Sequence, residues 1–154
     1  MSGRSVEHAS FVVERKYEAS PERAFAAWAD PEAKARWYVD SDAHLELDFR
    51  VGGRESSQGI APDGRAYSYK ALFQDIVPAE RIVYSYEMLL EETRISVSLA
   101  TVEFMPVGEG DTRLVFTEQG AFLDGHEPPA RRAEGMGGLL DALEKELQSE
   151  SPGG

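Results

Sequence analysis

The sequence predicts an α+β domain in which a curved antiparallel sheet of about seven strands wraps one long C-terminal helix. Three observations lead there. Apolar side chains alternate with a two-residue period in segment after segment between residues 10 and 121. After residue 130 the period changes to three and four and stays so for a long stretch. Turn residues separate the alternating segments at short intervals, as a meander of neighbouring antiparallel strands requires. Such a meander has one apolar face to cover, and the last helix is the only long amphipathic element available for it.

The elements follow in order. Residues 1–9 are polar and unpatterned and are expected to be a flexible N-terminus. From Ser10 to Glu18, Phe11, Val13, Arg15 and Tyr17 share one face of a strand. Ser20-Pro21 and Asp30-Pro31 each put a capping side chain before a proline, which needs no donor at the first helical position. Two short helices are therefore expected, the first reaching about Ala29 and the second carrying Trp37 near its end. Leu45, Leu47, Phe49 and Val51 alternate up to a turn at Gly52-Gly53, and Arg54 to Gly59 reads as the return strand. Pro62-Asp63-Gly64 is a tight turn. Tyr67, Tyr69, Ala71 and Phe73 alternate up to Pro78, and Ile82, Tyr84, Tyr86, Met88 and Leu90 after it. Arg94 to Phe104 is rich in β-branched residues, Gly108 to Gly110 turn the chain, and Thr112 to Ala121 make the last strand. Beyond a loop from Asp124 to Pro129, Ala133, Met136, Leu140, Leu143 and Leu147 mark a helix over 130–148, and residues 149–154 read as a flexible tail.

A chain of 154 residues fits one domain, here 10–148. It can bury roughly 68–70% of its unfolded surface, so it needs no disulfide or metal to hold together. It has no cysteine, which removes thiol nucleophiles and cysteine-based metal sites. Acidic residues outnumber basic ones 28 to 16, for a formal net charge of -12. That surface repels phosphate backbones and anionic headgroups, so nucleic acid is not an expected partner. No apolar run approaches the roughly 20 residues of a membrane span. The first ten residues lack the apolar core of a signal peptide, and a cytoplasmic location is expected.

Several strings carry a family resemblance over about residues 10 to 148. They are Ala19-Ser20-Pro21-Glu22-Arg23 leading to Trp28, and Asp30-Pro31 leading to Trp37. Asp48-Phe49-Arg50-Val51-Gly52-Gly53-Arg54 and Asp75-Ile76-Val77-Pro78-Ala79-Glu80-Arg81-Ile82-Val83-Tyr84 follow. The last are Thr112-Arg113-Leu114 and Thr117-Glu118-Gln119-Gly120-Ala121-Phe122 with Asp124-Gly125. The chain resembles the START-like helix-grip superfamily of polyketide cyclases/dehydrases and lipid-transport proteins. Within it, the chain is similar to the branch named after the C-terminal domain of the activator of the Hsp90 ATPase. The resemblance implies a scaffold for lipids, hormones, polyketides or other apolar molecules; some members catalyse cyclisation and some regulate chaperones. Many members of the branch carry Gly-Trp at the start of the last helix. Here the string is Gly135-Met136-Gly137-Gly138, with a smaller, flexible methionine in place of the tryptophan.

The expected function is binding of a small hydrophobic or amphipathic molecule between sheet and helix. Tyr67, Tyr69, Tyr84 and Tyr86 alternate on two adjacent strands, which would give apolar walls a few placed hydroxyls. The inferred faces add Trp37, Phe49, Phe73, Met136 and Leu140 to the pocket. Arg15 and Glu118 lie on inward faces of the first and last strands, neighbours in the resembling fold. One reading has them meet as an ion pair or anchor a polar ligand group, with Glu118 able to serve as a general base; the other has a bulge turn one of them to solvent, or a purely structural pair. The glycines at 135, 137 and 138 suggest a late helix start, or close approach to the sheet with a flexible first turn. His8, His44 and His126 share no motif, and Asp40, Asp42 and Asp48 lack the glycine and closing glutamate of a calcium loop. No metal or cofactor is expected. Two other functions stay open: an enzyme on the same scaffold (cyclase, dehydratase or hydrolase), and a chaperone-regulating or other interaction domain. A homodimer is likewise open.

Overall fold

The structure, a computed structural model, describes residues 3–39 and 44–149. Asp40 and Asp42 of the calcium-like run, and residues 150–154 of the expected tail, lie outside the described residues. The order is β1 (Val6–Tyr17), α1 (Pro21–Ala29), α2 (Pro31–Tyr38), β2 (His44–Leu47), β3 (Arg54–Ile60), β4 (Ala66–Val77), β5 (Arg81–Leu90), β6 (Thr93–Val107), β7 (Asp111–Leu123) and α3 (Pro129–Ser149). The seven strands form one antiparallel sheet in the order β1-β7-β6-β5-β4-β3-β2. The predicted α+β architecture holds: β2 to β7 meander, β1 joins beside β7, and α3 lies across the inner face.

The start of β1 and the end of β2 differ from the sequence reading, and the start of α3 decides between two of its alternatives. β1 begins at Val6, because Val6–Ala9 pair with 120–123 of β7 although their side chains are polar or exposed. β2 ends at Leu47, so Phe49 and Val51 fall in a turn and not on a strand. There the Asp48 N–H donates to the Arg54 carbonyl and the Gly53 N–H to the Arg50 carbonyl. Gly52 has φ +83°, and a Cβ on Gly53 would collide with the Asp48 carbonyl oxygen, so both positions call for glycine. Finally, α3 begins at Pro129. That is within one residue of the expected start, so the three glycines are inside the helix and the alternative of a late start does not hold.

The helix ends show which capping reading survives. Ser20 Oγ accepts from the Arg23 N–H at 3.2 Å, as predicted for α1. Asp30 makes no side-chain cap. Its backbone N–H instead closes α1 on the Ala26 carbonyl, so one residue ends one helix and starts the next. Side chains then fasten α3 to the rest. The Tyr17 hydroxyl donates to the Leu140 carbonyl at 2.8 Å, and Arg23 Nη2 donates to the Leu147 carbonyl at 2.6 Å.

The core joins Tyr17, Trp28, Phe73, Ile82, Tyr84, Phe104, Leu114 and Phe116 to Leu140, Leu143 and Leu147 of α3. Beneath α2 it holds an ion pair. Lys34 Nζ meets Glu55 Oε1 at 2.8 Å, with both side chains 0% exposed. The ammonium lies 4.3 Å from the Tyr38 ring centroid and 5.1 Å from that of Trp28. Burial lowers the Lys34 pKa, and the Glu55 carboxylate opposes that shift.

Candidate functional site

Between the sheet and the first half of α3 lies a cavity of about 1000 Å³. Its sheet wall is Tyr67 and Tyr69 of β4, Tyr84, Tyr86 and Met88 of β5, and Phe116 of β7; its helix wall is Met136, Leu139 and Ala142. Trp37, Tyr38 and Val39 close one side. Ile60, Pro62, Asp63, Arg65, His126 and Arg131, all exposed, form the mouth.

The tyrosines follow from strand periodicity and register. Tyr69 faces Met88, and Ala71 faces Tyr86, across the β4–β5 ladder. The Tyr69 and Tyr86 rings lie 5.1 Å apart, and those of Tyr84 and Tyr86 5.9 Å. The Tyr38 hydroxyl donates to that of Tyr69 at 3.1 Å. Burial raises the pKa of Tyr38, Tyr69, Tyr84 and Tyr86, so these phenols stay protonated and neutral. Tyr67 owes its pose to Gly59 opposite it: a Cβ there would meet the ring at 2.6–2.7 Å.

A buried polar cluster stands at the helix end of the cavity. The Tyr86 hydroxyl donates to Glu118 Oε2 at 2.7 Å and accepts from Arg132 Nη1 at 2.9 Å. Arg132 Nη2 donates to Ser96 Oγ and to Glu127 Oε1, both at 2.8 Å. The guanidinium also packs on the rings of Tyr86 and Phe122. Burial pushes the Glu118 carboxyl up, against the opposing pull of Arg132 and the Tyr86 and Ser98 hydroxyls.

Of the residues predicted to line the pocket, Trp37, Tyr67, Tyr69, Tyr84, Tyr86 and Met136 do so. Glu118 stands behind Tyr86, one layer from the cavity. Arg15, Phe49, Phe73 and Leu140 are not at the cavity. Phe49 and Phe73 meet edge to face, 5.0 Å between ring centroids, under α1, in the half of the sheet that helices fill. Leu140 is fully buried in the core stripe, and the cavity takes the neighbouring stripe of Arg132, Met136 and Leu139. The expected Arg15–Glu118 pair does not form. Register places Arg15 opposite Leu114 and Glu118 opposite Phe11, four residues along, roughly 13 Å apart. Arg15 instead binds Asp141 at 2.8 Å. Close approach holds for Gly137 alone, where a Cβ would meet Arg15 Nη2 at 3.1 Å; Gly135 and Gly138 have open space. The sequence reading missed Arg132, although its i, i+4 spacing to Met136 puts both on one helix face.

Among the described residues, no group of three or more metal-ligating side chains comes together, and no helix is long and apolar enough to cross a membrane.

A seven-stranded sheet gripping a C-terminal helix over a cavity defines a START-like helix-grip protein. More narrowly, the chain belongs to the family described as Activator of Hsp90 ATPase homolog 1-like protein, which matches residues 18–148. It is similar to an uncharacterized protein from Rhizobium leguminosarum at 46% identity, with a TM-score of 0.90 over 96% of this chain and 99% of that one. A structure from Rhizobium loti is 49% identical, with a TM-score of 0.87 over 92% of this chain and 99% of that one. A third, from Chromobacterium violaceum, is 25% identical, with a TM-score of 0.74 over 88% and 95%. No curated protein matches the chain.

Proposed function

We propose that the protein binds a small hydrophobic or amphipathic molecule in the cavity between the sheet and α3. The observation that carries this reading is the cavity itself: about 1000 Å³, with walls of aromatic and aliphatic side chains and a few neutral phenols. Affinity comes from apolar burial, at roughly 25 cal/mol per Å² removed from water. Orientation comes from the Tyr38–Tyr69 hydroxyl pair and from Tyr86, which the Arg132 cluster holds in place. The family and its uncharacterized relatives are compatible with a binding scaffold and name no ligand.

The test is native mass spectrometry on protein from its producing cell, with organic extraction of the bound material, followed by titration with an apolar fluorescent dye. A retained apolar molecule, or saturable dye binding lost on Met136→Trp, supports the reading. An empty protein that leaves the dye free overturns it and moves the weight to a protein-interaction role.

A second reading draws on the 2.7 Å bond between Tyr86, which lines the cavity, and Glu118 behind it. That pair can relay a proton to or from a bound molecule, as general acid–base chemistry requires. Turnover of an extracted ligand that falls at least a hundredfold in Tyr86→Phe, and equally in Glu118→Gln at unchanged affinity, is the expected sign.

A further inference from the structure

Among the described residues, four arginines (Arg36, Arg65, Arg131 and Arg132) stand around the cavity and its mouth, with the carboxylates Asp63 and Glu127. With Glu118 and Glu146 behind Arg132 and Arg36, the described arginines and carboxylates of this region balance, in a chain whose formal net charge is -12. The arginines come from α2, the β3–β4 turn and the first turn of α3, so their convergence is a property of the fold and not of one basic run.

Three of the four are engaged. Arg36 meets Glu146 at 2.8 Å, Arg65 meets Asp63 at 2.7 Å, and Arg132 meets Glu127 at 2.8 Å. With Glu118 and Glu146 behind them, those three are neutralised. Arg131 is exposed at the mouth, and its guanidinium has no partner among the described residues.

We infer that the cavity takes amphiphiles bearing one anionic group, a carboxylate or a phosphate, with the apolar part inside and the anion at the mouth on Arg131. This rests on the binding reading above and names the chemistry of its ligand. A planar guanidinium matches either oxyanion with two parallel hydrogen bonds. The acidic surface elsewhere does not cancel this. At physiological salt the screening length is about 8 Å, so a contact pair at about 3 Å outweighs carboxylates spread over the rest of the molecule. Those carboxylates make the preference diagnostic, because the long-range field of the protein repels anions. A higher affinity for the acid than for its neutral counterpart then has a local cause.

The experiment is calorimetric titration, below micelle formation and at physiological salt, with four ligands sharing a twelve-carbon chain: dodecanoate, dodecyl phosphate, dodecanol and dodecyltrimethylammonium. At least one anion is expected to bind about five- to tenfold tighter than dodecanol, and the cation more weakly than dodecanol. Arg131→Gln is expected to narrow the anion–alcohol gap to less than about twofold. The inference is overturned if dodecanol matches both anions, if the cation binds best, or if Arg131→Gln keeps the full gap. Binding of all four without discrimination overturns this inference alone. Binding of none overturns the cavity reading with it.

Discussion

Glu118, 1% exposed on β7, gives one carboxylate oxygen to the Tyr86 hydroxyl, and Arg132 reaches the same oxygen at 3.4 Å. Burial nevertheless wins and lifts its pKa above the unfolded value of about 4.3. The folded state therefore keeps this proton at pH values where the unfolded state has lost it. The resulting stabilisation is fully present below about pH 4.3 and is lost as pH rises through the raised folded value. Glu118→Gln removes that slope. Its urea midpoint should gain on the wild type between pH 4 and pH 7, and parallel curves would show that Glu118 titrates normally. Lys34 and Glu55 give a second prediction. Lys34→Met alone strands a buried carboxylate and should cost about 3–5 kcal/mol. Adding Glu55→Leu should recover most of it, as read from denaturant unfolding. A double variant no more stable than the single would mean the pair itself holds α2 in place.

At the scale of elements, α3 shows how much a periodicity can and cannot say. Its stripe Leu140, Leu143 and Leu147 was legible, and it packs on the sheet. The cavity uses the adjacent stripe, and nothing in a single sequence distinguishes a stripe that meets core from one that meets space. Strand alternation has the same limit. It put Tyr69 and Phe73 on one face of β4, correctly, but it carries no information on depth along the strand, where α1 fills one half and the cavity the other. Bulges are also silent. The register shift opposite Met88 and Leu89 leaves Ile95 unpaired, so Ile95 and Ser96 are both buried; one lines the cavity and the other accepts from Arg132. Nothing in the sequence sets Arg132 apart from Arg131 beside it. Two glycine substitutions test the helix. Gly138→Ala meets open space and should stabilise the fold by about 0.5–1 kcal/mol in urea unfolding. Gly137→Ala must displace the Arg15 guanidinium and should give less, or destabilise. Equal gains at both positions would mean that the Arg15 contact to α3 carries no weight.

For the molecule as a whole, the order of elements was readable because turn residues and capping pairs mark almost every boundary. The exception at Phe49 arose where two glycines fold a turn from residues that alternate like a strand. A cavity at the junction of sheet and helix also couples occupancy to global stability. A ligand at a hundred times its dissociation constant should add about 2.7 kcal/mol. For a domain of this size that raises Tm by about 5–10 °C, measurable by calorimetry with any molecule the extraction identifies. A bound compound that leaves Tm unchanged would be sitting outside the folded cavity. The sheet closes in a different order from that in which it is made. β1 leaves the ribosome before the other strands of this sheet, and its partner, β7, ends 106 residues after β1 does. At roughly 5–20 residues per second, β1 waits about 5–20 s with an unpaired backbone on both sides. Its polar alternate positions, among them His8, Ser10, Glu14 and Lys16, keep that waiting strand from pairing with other chains. A nascent chain stalled anywhere before Asp111 holds β1 without the strand that pairs with it in the folded sheet.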